Sequence, residues 1–227
     1  GDELLYNFFL MGKKSIDRGN TDTWTRYPKY AADIQKTFDA SKKKVAVDDE
    51  EEAYFGNRSG IPIAFYDSVY SDPKNRDPRG YILSADQADF PTAIKFLNAL
   101  IKSGISVHQA TADFSVAGKS YPKGSYVVKT AQAFRPHVLD MFEPQDHPND
   151  FMFPGGPPVR PYDAAGWTLA FQMGIEADRI MEAFDGPFVA LTHGQLLQPE
   201  PTLLPASSAG YFLDARVNDS FKAVNEL

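Results

Sequence analysis

The chain contains 227 residues, of which 43% are hydrophobic and 23% are charged. This composition is typical of globular domains and excludes a wholly disordered or fibrous protein. Acidic residues outnumber basic ones by 30 to 23, which gives a net charge of −7. We therefore expect no nucleic-acid partner, because phosphate binding needs a basic surface. The absence of cysteine excludes disulfides, thiolate nucleophiles and cysteine-ligated metals.

The sequence carries neither a membrane-span pattern nor an export-signal pattern. No apolar run approaches the ~18 residues that a transmembrane helix needs. The first residues also lack the basic, apolar and small-residue regions of a signal peptide. A chain without cysteine fits the cytosol and the periplasm equally, so composition leaves the compartment open.

The first 60 residues are predicted to form a helical connector with an acidic loop. Apolar residues recur at helical spacing over residues 3–18, and the Gly19-Asn20 pair ends that helix. A second helix is predicted over residues 28–40. Residues 48–52 are five consecutive acids, which is typical of an exposed loop, with a regulatory ion site as the alternative. We place a domain boundary at residue 60, with an α/β domain over residues 61–227.

The strongest local pattern is a strand–helix–strand unit that begins at Arg79. Residues 80–85 read as a buried strand, and Asp89 is a helix N-cap with Pro91 in the first turn. Apolar residues then recur at helical spacing up to the expected stop at Gly104. A further strand is predicted over residues 105–109. Short loops between such elements are typical of a parallel sheet.

Residues 115–129 are predicted to be a hairpin that turns at residues 121–124 and returns along residues 125–129. Helices are predicted over residues 134–142 and 162–173, and one or two strands over residues 177–191. The intervening stretches 144–161 and 194–208 are rich in proline and read as loops.

The end of the chain repeats the start of the α/β pattern. Residues 210–215 echo residues 80–85, and the match continues at a constant offset into the following helix. A second strand-then-helix unit is therefore predicted, with the helix still running at Leu227. We expect the chain to be an excised piece of a longer polypeptide.

The densest polar cluster surrounds His137. His137 and Asp140 lie three residues apart on one predicted helix, so both could face one ligand. The other members of the cluster are Arg135, Glu143, Asp146 and His147. A hydrogen-bonded network that holds the proline-rich loop is the favoured interpretation; a metal or ligand site is the alternative, because no spacing requires a metal.

Polar residues at predicted strand ends could line a cleft, since ligands of open parallel sheets bind outside the carboxyl ends of the strands. Ser84 and Asp86 follow the first strand, and His193 follows a later one. Ser84 has no nucleophile motif around it and no base partner. The candidate ligand-binding residues are Ser84, Asp86, Arg135, His137 and His193. No catalytic residue and no metal ligand is predicted.

Three segments resemble the region that follows the catalytic domain in large bacterial zinc carboxypeptidase-like proteins. They are RGYILSADQADFPTAIKFLNAL, YPKGSYVVKTAQAFRPHVLDMFEPQDHP and PGGPPVRPYDAAGWTLAFQMG. The N-terminal LLYNFFLMGKKSIDRGNTDTWT is similar to the helical connector before that region. The resemblance covers about two thirds of the chain. It implies a class I glutamine amidotransferase-like α/β domain within exported peptidases.

The chain departs from that family in its chemistry. The family's zinc motif, His-x-x-Glu with a distant third histidine, is absent, and the nearest match runs from His137 to Asp140. Amidotransferase activity needs a cysteine, which the chain lacks. The resemblance therefore transfers no catalytic residue to any position here.

These observations predict a mostly parallel α/β sheet flanked by helices, glutamine amidotransferase-like, with an added hairpin and an N-terminal helical segment. The expected function is that of a non-catalytic accessory domain of a secreted zinc metallocarboxypeptidase-like protein, supporting the peptidase domain or substrate presentation. Its partners would be the rest of that polypeptide and peptide or cell-wall substrate. The resemblance implies zinc in the parent's catalytic domain, no cofactor here, and a periplasmic or extracellular location. The alternatives are a small-molecule or peptide-binding α/β module and a free-standing hydrolase built on His137.

Overall fold

The computed structural model describes residues 1–45, 60–145, 151–160, 167–199 and 204–227. Within these ranges the helices are α1 (Asp2–Gly19), α2 (Pro28–Val45), α3 (Ile63–Tyr70), α4 (Phe90–Lys102), α5 (Arg135–Phe142), α6 (Leu169–Gln172) and α7 (Asn218–Glu226). The strands are β1 (Gly80–Leu83), β2 (His108–Ala110), β3 (Phe114–Val116), β4 (Lys119–Tyr121), β5 (Tyr126–Lys129), β6 (Asp178–Ile180) and β7 (Phe188–Ala190). The predicted acidic loop at residues 48–52 lies outside the described residues.

The chain divides into two compact units. The first comprises Gly1–Thr21, Pro78–Gln145 and Ala165–Leu227, and the second comprises Asp22–Asp77 and Asp146–Ala164. The boundary that the sequence places at residue 60 adjoins residues that the structure does not describe, and it stays a prediction.

The main sheet of the first unit is antiparallel, so the predicted mostly parallel sheet is wrong. Its strand order is β6-β1-β5-β2-β7, and every neighbouring pair is antiparallel. The strand–helix–strand unit exists, and β1 and β2 run in the same direction because both are antiparallel to β5. They are not neighbours, however, because β5 lies between them and takes up the hydrogen bonds that a parallel pair would share.

The predicted hairpin at residues 115–129 is also wrong in its pairing. The observed hairpin joins β3 to β4, and Ala117 and Gly118 form its two-residue turn with φ of 51° and 78°. Positive φ at both central residues is the turn geometry that matches the twist of paired strands. A turn forms one residue later than the predicted 121–124, over residues 122–125, since the amide of Ser125 donates to the carbonyl of Pro122. It leads β5 into the main sheet.

Both faces of the sheet are covered in the first unit. Side chains alternate between the faces along a strand, so Tyr81 and Leu83 pack on the side of α4 and α5. Ile82 and Val127 pack on the opposite side, under the β3–β4 hairpin. α4 begins at the predicted N-cap, where an oxygen of Asp89 accepts from the amide of Thr92 at 3.2 Å. β1 and β5 are therefore buried on both faces.

The N-terminal helix α1 is held to this unit through two glycines. A Cβ atom on Gly19 would lie 2.4 Å from the backbone of Ala131, and a Cβ atom on Gly12 would lie 3.5 Å from the Cβ of Ala133. The absence of a side chain at Gly19 is what allows the helix to approach the segment between β5 and α5 so closely.

The second unit is organised around α2 and α3. The rings of Phe38 and Phe65 pack edge to face, with centroids 5.2 Å apart, and α3 was not anticipated from the sequence. Asp77 is 5% exposed, and its carboxylate accepts from the amide and the hydroxyl of Thr25 at 3.0 and 2.9 Å. These hydrogen bonds compensate for burying a charged group.

A second strand-then-helix unit was predicted near the C-terminus. Its helix is confirmed and its strand is wrong. α7 forms as predicted, but residues 210–215 form no strand. The Phe212 side chain is fully exposed there, and no described strand pairs with this segment. Without a neighbouring strand its amides and carbonyls have no ladder to join.

Candidate functional site: a charged cavity at the end of the first two paired strands

A cavity of about 800 Å³ opens in the first unit where β1 ends and β6 begins. The two strands are paired so that Ile82 lies opposite Asp178, which places the residues after β1 beside those before β6. The charged side chains that line the cavity are Asp86, Lys119, Glu143, Glu176, Asp178, Arg179 and Arg216.

Glu143 is the most enclosed of the charged groups. It follows α5 directly, and its side chain is only 15% exposed. Its Oε1 accepts from the hydroxyl of Tyr81 at 2.6 Å and from Nε of Arg179 at 2.8 Å. Two donors on one oxygen hold the carboxylate in place.

Asp178, the neighbour of Arg179 in β6, forms a second ionic contact. Its Oδ2 lies 2.7 Å from Nζ of Lys119, which reaches across from the β3–β4 hairpin. Burial raises the pKa of Tyr121 well above its usual value, and the hydrogen bond and the negative charge of Asp178 raise it further. Lys119 is 57% exposed and Asp178 is 37% exposed, so this ion pair is accessible to a ligand.

The loop between β1 and α4 closes one side of the cavity. The hydroxyl of Ser84 donates to the carboxylate of Asp86. Gln87 joins this loop to the segment before β6, since it accepts from the amide of Glu176 at 3.2 Å and donates to the Glu176 carbonyl at 3.4 Å. The loop is therefore fixed relative to the edge strand that it faces.

An aromatic surface accompanies the charges. The stacked rings of Tyr81 and Phe142, 4.0 Å between centroids, form part of the lining. Phe171 lies at the rim with 65% of its surface exposed. Arg216 also lines the rim, where its guanidinium pairs with Asp214 at 2.7 Å. Aromatic surface beside fixed polar groups is the usual composition of a small-ligand site.

The structure brings together only two of the five predicted binding residues. Ser84 and Asp86 line the cavity. Arg135 is 3% exposed at the start of α5, at the opposite end of that helix from Glu143. His193 is exposed beyond β7, whose last residue pairs with His108 at the start of β2.

His137 contacts a different part of the first unit. Its Nε2 lies 3.0 Å from Oγ of Ser103, just beyond α4. Burial raises the pKa of Asp140, although the positive charge of His137 partly opposes this shift. The other predicted members of this cluster, Asp146 and His147, lie outside the described residues. In the part of the chain that the structure describes, no three histidine, aspartate or glutamate side chains converge as metal ligands.

Sequence reasoning missed most residues of the cavity, although one signal was present. Asp178 and Arg179 are charged residues inside a predicted strand segment, and charge within a strand is typical of the edge of a sheet. That signal identifies β6 as an edge strand. It does not reveal that Lys119 and Glu143, which are distant in sequence, lie beside it.

Comparison with protein families, with curated proteins and with solved structures gives no match to the chain. Among the described residues, no helix is both long enough and apolar enough to cross a membrane.

Proposed function

We propose that the chain is a non-catalytic accessory domain of a larger zinc metallocarboxypeptidase-like protein, in which it supports the peptidase domain. The resemblance of its segments to the region after the catalytic domain of such proteins suggests the parent. The observation that carries an accessory role is the exposed apolar face of α1.

The apolar face of α1 continues the face that packs on the first unit. Gly12 and Gly19 are seven residues apart, so they lie on one side of the helix. Leu5 precedes Gly12 by seven residues and Phe8 precedes it by four, which places both on that same side. Their exposed fractions are nevertheless 67% and 60%. The helix therefore passes beyond its own domain with the contact face uncovered by described residues.

The size of this face is sufficient for a stable contact. Its exposed apolar residues, which lie within about 80° of Gly12 around the helix axis, are Leu4, Leu5, Phe8 and Phe9, each 60–67% exposed. Full burial of a large apolar side chain contributes about 1.5–3 kcal/mol, so covering the exposed part of each contributes roughly 1–2 kcal/mol. Several such residues exceed the low end of the association cost, about 4 kcal/mol.

In this proposal the accessory domain contributes no zinc ligand. The zinc ion and its His-x-x-Glu motif belong to the peptidase domain, which α1 contacts. The parent is exported, which places the chain in the periplasm or outside the cell. The domain holds the peptidase domain in position and helps to present peptide or cell-wall substrate.

The source gene provides the first test. A reading frame that encodes a His-x-x-Glu motif and a later histidine ahead of this chain supports the proposal, and a gene that encodes this chain alone overturns it. The second test uses the full polypeptide and compares Phe8→Ser with Phe221→Ser. These phenylalanines are matched, with exposed fractions of 60% and 59%. Only Phe8→Ser should lower the unfolding temperature of the full polypeptide; equal effects contradict the docking role.

A second role is favoured by the cavity beside Ser84 and Asp86. It is that of a ligand-binding α/β module, which is compatible with an accessory position in a larger protein. Enclosed charged groups together with exposed aromatic surface support this role. Its test is saturable binding of a small molecule that depends on the cavity residues, as designed below.

A further inference from the structure

We infer that the cavity binds a short extended peptide segment that carries one cationic and one anionic side chain, laid along β6. This inference rests on the ligand-binding role proposed above and specifies its ligand class.

Positive and negative charges nearly balance around the cavity. Four acids line it, Asp86, Glu143, Glu176 and Asp178, against three bases, Lys119, Arg179 and Arg216. Opposite charges alternate over short distances, since Arg179 contacts Glu143 at 2.8 Å and Lys119 contacts Asp178 at 2.7 Å. A ligand with a single sign of charge would meet as much repulsion as attraction here.

A ligand that enters the cavity must replace the ion pairs that line it. A neutral ligand that covered Lys119 and Asp178 would remove water from both charges without offering either a counterion, which is unfavourable. A peptide with both charges exchanges partners instead, since its carboxylate pairs with Lys119 and its ammonium group with Asp178. Complementary charges on the ligand therefore keep every ion paired.

The position of β6 allows a peptide to add to the sheet as a further strand. It is the end strand of the described sheet, paired on one side with β1, and two of its residues, Asp178 and Arg179, line the cavity. Extended peptides bind sheet edges through main-chain hydrogen bonds, with alternate side chains reaching pockets on either side. Asp178 and Arg179 are adjacent in the strand, so they point to opposite faces. A peptide along this edge can meet an ion pair on each face.

The exposed ring of Phe171 completes the recognition surface. It offers an apolar contact at the rim to an aliphatic residue of the peptide, beside the Tyr81–Phe142 stack. A peptide with a small apolar residue between its two charged ones matches this order of groups.

The test is a titration of the whole ¹⁵N-labelled chain followed by NMR chemical shifts. The probes are the capped tetrapeptide acetyl-Lys-Ala-Glu-Ala-amide, its all-alanine counterpart, and a trisaccharide of N-acetylglucosamine. Saturable shifts at residues 176–180 with the charged peptide, and much weaker ones with the alanine peptide, are expected. The affinity should also fall as salt rises from low to physiological concentration, because exposed charges are screened.

A pair of matched variants separates the cavity from general charge effects. Lys119 and Lys13 each lie 2.7 Å from an aspartate and are 57% and 56% exposed. Lys119→Gln should weaken peptide binding about three- to fivefold, as expected for one exposed ion pair, and Lys13→Gln should leave it unchanged. Thermal unfolding of both variants establishes that each is folded.

Each outcome decides the inference. Peptide binding that is weakened by Lys119→Gln alone supports it. Binding of the trisaccharide without the charged peptide overturns the ligand class and leaves the binding module standing. Absence of binding by all three probes overturns both the ligand class and the ligand-binding role. Equal loss in the two lysine variants shows that the contacts lie elsewhere on the surface and overturns the assignment to this cavity.

Discussion

One carboxylate at the start of α4 holds two helix N-termini, and this leads to a prediction about α7. Oδ1 of Asp89 accepts from the amide of Thr92 at 3.2 Å, and Oδ2 accepts from the amide of Asn218 at 3.0 Å. The Asn218 side chain donates to Oγ1 of Thr92 at 3.2 Å, and Lys95 pairs with Asp219. The N-terminus of α7 is thus fastened to α4 by polar contacts.

Two substitutions at Asp89 separate the two roles. Asp89→Ala removes both, and loss of an N-cap costs about 1 kcal/mol. Asp89→Ser keeps a capping oxygen for α4, since serine caps as well as aspartate, but it offers no second oxygen for Asn218. We expect Asp89→Ala to lower the unfolding temperature by roughly 2–4 °C and Asp89→Ser to leave it nearly unchanged. Both should release the start of α7.

The assays are thermal unfolding followed by circular dichroism and hydrogen exchange of the α7 amides. Loss of one hydrogen bond of about 1 kcal/mol predicts about fivefold faster exchange at Asn218 in both variants. Asp219→Ala is the comparison variant, because it keeps the Asp89 cap but removes the exposed pair with Lys95 and the acidic charge in the first turn of α7. Unchanged exchange at Asn218 in Asp89→Ser would refute the shared cap.

The pKa of Asp89 gives the same contact a pH dependence. Burial by itself raises this pKa, but hydrogen bonds from Asn218 and Thr92 and the charge of Lys95 lower it below its usual value. A carboxylate with a lowered folded pKa stabilises the fold above its unfolded pKa of about 4 and loses that contribution as pH falls further. Release of α7 should therefore begin below about pH 4.

Three further predictions concern the first unit. Gly19→Ala should destabilise it by about 1–3 kcal/mol in urea unfolding, because its Cβ would meet backbone at 2.4 Å, whereas Gly12→Ala should have little effect. Burial and the charge of Lys129 lower the pKa of His108, so the free energy of unfolding should fall as pH drops below about 6.5. His108→Gln should reduce that loss of stability. An unchanged pH profile in this variant would contradict the role of His108. Thr130→Val removes a buried hydrogen bond of 2.8 Å and should cost about 1–2 kcal/mol in the same unfolding assay; a smaller loss than that of an exposed threonine would contradict it.

The elements that the sequence predicts well carry their signals within a few residues. α4 has its cap at Asp89, a proline in its first turn and a stop at Gly104, where φ is +88°. Each of these preferences acts locally. The packing of α4 against the sheet then strengthens a helix that its own sequence already favours.

The sheet was mispredicted because strand pairing is decided by distant partners. Residues 125–129 are predicted to be the return strand of a hairpin; a strand does form over residues 126–129, and Val127 and Val128 in it are fully buried. Nothing in the local sequence indicates that this strand enters between β1 and β2. The true hairpin turn was hidden because Ala117 adopts positive φ, which is uncommon outside glycine, asparagine and aspartate.

The candidate site was predictable only in the part that follows one strand. Ser84 and Asp86 are candidates because they follow β1, and the cavity does lie there. His193 was selected by the same rule, which assumes that strand ends meet at one edge of a parallel sheet. In the antiparallel sheet, β7 runs opposite to β1 and β2, so its end lies beside the start of β2. His193 therefore follows the opposite end of the strands from the end of β1.

The two proposed surfaces lie at the two ends of α5, and we expect them to act independently. Gly12 of α1 contacts Ala133 before the helix, while Glu143 follows it at the cavity. Coupling between sites needs an element with two alternative arrangements. α5 is fixed along its length, since Val138 and Leu139 are buried and the ring of Phe142 stacks on that of Tyr81. Displacement of α1 should therefore not reach the cavity.

Gly19→Ala tests this independence, because its Cβ would meet the backbone of Ala131 at 2.4 Å and so displaces α1 from its contact before α5. The affinity for the charged tetrapeptide, measured by the same NMR titration, should stay within about twofold of the unchanged chain, less than the loss expected for one exposed ion pair. A change as large as that of Lys119→Gln would show that α5 does shift between two positions. The accessory and binding roles would then be coupled, and by linkage the peptide would alter docking through α1 by the same factor.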